Sequence, residues 1–126
     1  MARNKLQNRS YLEAQFERNC RLYDLPKFIG EYPFHSYQFD FAIPEIKLGV
    51  EIQGGTYIKG GNHVSGAGYE RDCKKNNLAL LEGWWILRAD CKMSGTPAFM
   101  SSVRTAVLMR INMRNRYPEL FLKERS

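Results

Sequence analysis

Two acids and an amide, set into two short apolar segments, carry the chemistry of this sequence. In "QFDFAI", Asp40 lies among Phe39, Phe41 and Ile43; in "LGVEIQGG", Glu51 lies between Val50 and Ile52, and Gln53 follows two residues on. Alternate residues of a strand face opposite ways. Phe39, Phe41 and Ile43 are therefore expected on one face and Gln38, Asp40 and Ala42 on the other. In the second segment Leu48, Val50 and Ile52 oppose Gly49, Glu51 and Gln53. A tight turn around Pro44 and Glu45 makes the segments a hairpin and lets the carboxylates come near each other. Two carboxylates forced together repel. A hard divalent cation such as Mg²⁺, which takes oxygen ligands, removes that cost. The alternative is a pair of solvated acids on an open sheet face, each paired with a lysine. A helix expected from Tyr69 to Gly83 would cover one face of this sheet, which favours the covered pair.

The elements that must position these groups are legible in outline. "SYLEAQFERNCRLYDLP" reads as a helix, with Ser10 and Glu13 at capping-box spacing and Leu12, Phe16, Cys20 and Tyr23 as its apolar stripe, ended by Pro26. Pro33 limits Tyr32 to Ser36 to an edge strand at most. The segment from Gly54 to Gly68 reads as a loop and holds six of the chain's 10 glycines. It lacks the GK[ST] of a P-loop. "YERDCKKNNLALLEG" is a helix closed by Gly83, and "WWILRAD" is expected as an inner strand in which at least one of Trp84 and Trp85 is core. Thr96 as N-cap and Pro97 at the first turn open a last helix, lined by Phe99, Val103, Ala106 and Val107. The expected fold is α/β: a single domain, residues 1–126, with a central mixed sheet flanked by helices and a C-terminal helical extension at about 96–126.

The 126 residues suffice for one compact core, and 44% hydrophobic with 25% charged is an ordinary globular composition. No apolar run is long enough to span a membrane, and "MARNKLQNRS" has no apolar stretch after its basic residues, so a cytoplasmic protein without a membrane partner is expected. Cys20, Cys73 and Cys91 are far apart and form no CxxC, which points to thiols in a reducing compartment. The net charge of +6 favours a polyanionic partner, nucleic acid being the commonest. Solubilising surface charge is the alternative.

With those residues in view, "FDFAIPEIKLGVEIQGG" resembles the core of the PD-(D/E)xK, or restriction-endonuclease-like, nucleases. Their pattern is an acid on one strand and acid-x-lysine on the next, in an αβββαβ core. Asp40 matches the first acid and Glu51 the second, while Gln53 stands at the place of the lysine. The downstream "GNHVSGAGYERDCKKNNLALLEGWWILRAD" resembles the branch that contains very-short-patch repair endonucleases and small phage and bacterial relatives. There a glycine-rich loop carries a histidine (His63), a helix carries an acid and a lysine (Asp72, Lys75), and "GW" leads into a strand ending near Arg88. A helical glutamate, matched by Glu13, opens that branch. The resemblance covers about residues 10–90.

The resemblance implies Mg²⁺-dependent hydrolysis of DNA phosphodiesters, with Mn²⁺ as a substitute, in repair, recombination or phage DNA processing. A bacterial cell or a phage-infected host is the implied setting. Asp40, Glu51 and the backbone carbonyl of Ile52 would hold the metal, which polarises the phosphate and generates the attacking hydroxide. Gln53 can hydrogen-bond a water but carries no charge. Lys75 or His63 is left to fill the lysine's role. Only one of the adjacent Lys74 and Lys75 can face the sheet, and His63 sits on the loop that leaves the metal-bearing strand. Glu13 is shared between capping and a metal–water contact, with Glu17 and then Glu31 as substitutes. Gly54 and Gly55 would admit a phosphate backbone closely, and Lys59, His63, Lys74, Arg110 and Arg114 would contact DNA, duplex or branched. A two-fold homodimer would give each strand of a duplex its own site; Met100, Leu108 and Met109 are equally suited to that interface and to the core. The competing function is a catalytically inactive nucleic-acid-binding module on the same fold, motivated by Gln53.

Overall fold

The chain alternates helix and strand. The computed structural model describes the backbone of residues 5–53 and 66–122 and the side chains of 11–52 and 66–122. The order is α1 (Lys5–Leu22), β1 (Ile29–Phe34), β2 (Tyr37–Ile43), a 3₁₀ turn (Pro44–Ile46), β3 (Leu48–Gln53), α2 (Gly66–Leu81), β4 (Trp85–Asp90), α3 (Pro97–Arg116) and a second 3₁₀ turn (Pro118–Phe121). The sheet runs β1-β2-β3-β4, antiparallel except for the parallel pair β3 and β4 that α2 connects. A parallel pair needs such a crossover. Among the described residues no helix is long and apolar enough to cross a membrane.

Three layers result. Leu12, Phe16 and Cys20 of α1 and Phe99, Met100, Val103 and Val107 of α3 bury one sheet face, formed by Phe41, Ile43, Leu48, Val50 and Ile52. On the other face α2 supplies Ala79, packed with Phe34, Phe39, Ala42 and Trp84. The helix ends are specified locally. Asp24 (φ 55) follows α1 in the left-handed region, where Asp24 N–H donates to Arg21 O (3.1 Å) and Leu25 N–H to Cys20 O (2.9 Å). Gly83 (φ 82) closes α2 the same way, with Trp84 N–H on Ala79 O at 2.9 Å. At α3, Thr96 Oγ1 accepts from Phe99 N–H at 3.2 Å.

The structure corrects the sequence reading at four places. First, α1 begins at Lys5, so Ser10 lies inside the helix and Glu13 is not part of a capping box. Lysine, leucine, glutamine and arginine are all good helix formers, and "KLQNR" propagates the helix past the cap signal. Second, β4 is an edge strand among the described residues, not an inner one. Trp84 is core on the α2 side, and Trp85 packs on the α3 side. Third, Phe39 does not share a face with Phe41. The β1–β2 pairing skips Glu31 and Asp40, Glu31 takes φ 51, and the strand's alternation slips there, sending Phe39 to the α2 side with Ala42.

The fourth is Arg110, expected at DNA but 3% exposed. Its Nε donates to Ile46 O (2.9 Å) and its Nη2 to Gly83 O (2.7 Å), and its guanidinium lies over the Trp85 ring (4.9 Å) and the Phe121 ring (4.5 Å). Burial pulls its pKa below the ordinary arginine value, yet it keeps its charge. It joins α3 to the β2–β3 turn and to the end of α2. Replacing Arg110 by Met keeps much of the packing but leaves both carbonyls unsatisfied, which should cost about 3 kcal/mol. Urea denaturation checks this; an unchanged midpoint would mean that the carbonyls find other donors.

Candidate active site

The site forms where β2 and β3 stop pairing. Their ladder carries Ile43↔Leu48, Ala42↔Gly49 and Phe41↔Val50. One step further, Asp40 reaches across with its side chain, and its Oδ2 accepts from Ile52 N–H at 2.8 Å. The carboxylate thus satisfies a backbone donor that the ladder leaves open. Glu51 precedes that same N–H, so both acids flank one peptide unit. Both are 8% exposed.

Glu51 points to the α2 side of the sheet. There Lys75 Nζ donates to its Oε2 at 2.5 Å, from a helix position that is itself buried. Lys75 Nζ also stands 5.2 Å from the centroid of the Phe39 ring. The slipped alternation of β2 therefore has a consequence at the site: it puts an aromatic face beside the ammonium. The other carboxylate oxygen, Glu51 Oε1, is buried with no hydrogen-bond partner among the described residues. A buried orphan oxygen is costly, and a hydrogen-bond donor or a cation would relieve it. Gly49, on the same face, keeps the packing close: a Cβ there would lie 2.8 Å from Ile86 Cδ1.

Exposed polar contacts fix α2 over the strands. Asp72 accepts from Arg88 Nη2 of β4 at 2.8 Å, and Arg71 Nη2 donates to Ser36 O in the β1–β2 turn at 2.9 Å. At the far end Glu82 pairs with His35 at 2.6 Å, and its carbonyl accepts from Lys47 Nζ at 2.9 Å. Between α2 and the start of β2 a cleft of about 280 Å³ opens, lined by Tyr37, Gln38, Gly68, Arg71, Asp72 and Lys75.

Of the expected residues, Asp40, Glu51 and Lys75 come together. Glu13 is half-buried on α1. Among the described residues no three His, Cys, Asp or Glu side chains converge as a metal-holding group. Glu17 and Glu31 are exposed. Gln53 ends β3 beside Asp90 of β4; its side chain, and the whole of Gly54, Gly55, Lys59 and His63, lie outside the described residues. Lys74 is exposed and pairs with Glu70 at 3.5 Å, and Arg114 is exposed on α3. Met100 belongs to the core, whereas Leu108 and Met109 are exposed. The thiols are free; that of Cys20 is pushed up to about 12 by burial and by Glu17, which makes it unreactive.

Sequence reasoning missed Arg71, and it missed that Asp72 is held by Arg88. It also read Arg110 as surface, although Arg110 continues the stripe of Val103 and Val107 at helical spacing.

No protein-family model matches the chain, and no curated protein matches it. Among solved structures, the catalytic domain of the homing endonuclease I-Bth0305I is similar in fold, with a TM-score of 0.63 at 13% sequence identity, over 79% of this chain and 96% of that one.

The Glu51–Lys75 pair is the buried ion pair of this arrangement. Lys75→Met should destabilise the protein by about 3–5 kcal/mol, because the buried carboxylate loses its partner. The double variant Glu51→Gln, Lys75→Met should recover most of that loss. Denaturation of the single and double variants measures the coupling, and strictly additive costs would show that the two side chains do not depend on each other.

Proposed function

We propose that this chain is a divalent-metal-dependent endonuclease acting on DNA. The observation that carries the reading is Glu51: a buried carboxylate beside Asp40, with one oxygen on Lys75 and the other unpartnered among the described residues. The similarity in fold to an endonuclease catalytic domain supports it, and so does the net charge of +6. Hard oxygen donors fit Mg²⁺, and Mn²⁺ takes the same ligands.

Asp40 and Glu51 would hold the ion. The Ile52 N–H faces Asp40, and the C=O of an extended residue faces the same side as its N–H, so the Ile52 carbonyl is available as a third ligand. When bound, Mg²⁺ supplies Lewis-acid polarisation of the scissile phosphate and lowers the pKa of the attacking water. Lys75 supplies the positive charge that Gln53 lacks. From its place on Glu51, its Nζ can turn to a phosphate oxygen as charge develops there. Gln53 orients water, and His63 is the general base that this reading assigns to the loop after β3.

A second reading is favoured by the same ion pair: Lys75 already neutralises Glu51, as it would in a module that only binds DNA. Incubation with supercoiled, linear and branched DNA in Mg²⁺ or Mn²⁺ separates the two. The wild type is expected to nick or cut, and Asp40→Asn or Glu51→Gln should slow it by at least about 10²-fold. Cleavage undiminished in both variants sinks the site. Salt-sensitive binding that is never followed by cleavage establishes the second reading.

A further inference from the structure

The cleft between α2 and the start of β2 has a composition that the hydrolytic site does not require. Its rim carries the Arg71 guanidinium, Lys75 lies buried at its floor, and the first turn of α2 contributes Gly68, which places no side chain in the space. The acid on its wall, Asp72, is already answered by Arg88. Arg71 is held from two sides: Nη2 donates to Ser36 O, and the guanidinium lies 4.8 Å from the centroid of the Tyr37 ring. Among the described residues its Nε and Nη1 have no hydrogen-bond acceptor. A planar cation stacked on an aromatic ring, with two donors unused, is pre-organised for a phosphate fork. The start of a helix adds favourable potential for an anion.

We infer that this cleft is a phosphodiester subsite, in which Arg71 grips a phosphate of the DNA strand next to the scissile one and Gln38 closes the mouth by hydrogen bonding. Arg71 is a positioning residue: it fixes the register of the strand over Asp40, Glu51 and Lys75. This inference rests on the reading of the chain as a DNA-acting protein, but it does not need the chain to cleave.

Fluorescence anisotropy of a labelled duplex, titrated at several salt concentrations in Ca²⁺, reads the subsite without turnover. Arg71→Met should lower affinity roughly tenfold, the worth of one charge-assisted hydrogen bond. It should also flatten the slope of log K against log salt by about 0.9, one phosphate contact. Arg71→Lys should restore the slope. Arg104→Met, exposed on α3 across the sheet, should leave the slope as in wild type. Gln38→Glu, which leaves the Ser36 contact intact, should weaken binding by placing a carboxylate at the mouth. A loss of stability alone would not move the slope. An Arg71→Met protein with wild-type affinity and slope overturns the subsite, whatever the cleavage assay gives. A wild type that shows the slope difference yet never cuts overturns the nuclease reading and leaves the subsite standing.

Discussion

A carboxylate buried in a sheet has to be answered by hydrogen bonds or positive charge, and Glu51 is answered by Lys75 across the layer boundary. Much of the molecule is arranged around that requirement. The ammonium reaches the sheet from α2, while the β3 position two residues after Glu51 is an amide. The helix must then be held at the right height, which Arg71 and Asp72 do at one end and Glu82 at the other. Desolvating both partners is expensive, and only close geometry and further contacts recover the cost. The pair has the Phe39 ring on one side. Among the described residues it leaves the Glu51 Oε1 oxygen without a donor.

Asp40 answers a different need. Where two strands part, a backbone N–H is left without a ladder partner, and a short acidic side chain can reach it. Asp40 does so at Ile52. The same splay turns Phe39 toward α2, so one irregularity in β2 builds both the acidic end of the site and its aromatic wall. A similar fold occurs in an endonuclease catalytic domain at 13% identity. At that distance the scaffold says little about chemistry, which rests on the particular side chains that the scaffold carries.

How much of this was legible in the sequence follows from the range of each signal. Thr96 and Pro97 fix the start of α3 by contacts within one turn, and Gly83 ends α2 through its own backbone, so both could be read directly. The period of two put Glu51 opposite Val50 and Ile52 without knowledge of the neighbours. Phe39 could not be read this way, because the slip depends on Glu31, a residue of the paired strand with a left-handed backbone. Ser10 misled because a cap signal is a preference, and good helix formers ahead of it prevailed. The edge position of β4 is a matter of pairing order, which no local window contains. Lys75 was singled out by the resemblance of its helix to one that carries an acid and a lysine, with only one of two adjacent lysines able to face the sheet, whereas Arg110 was read by its charge when its place on an apolar stripe was the better guide.

Arg110 also constrains the order in which the molecule can assemble. Its two carbonyl partners lie 64 and 27 residues away along the chain. Contacts of that span close large loops and form after the local ones. On a ribosome, the hairpin and α2 would emerge with the carbonyls of Ile46 and Gly83 still bonded to water. Only when α3 arrives can one side chain draw both in and expel that water. The last long helix is therefore the clasp of the fold, and the sheet that bears the acids is sealed from the far side by a residue that is made late.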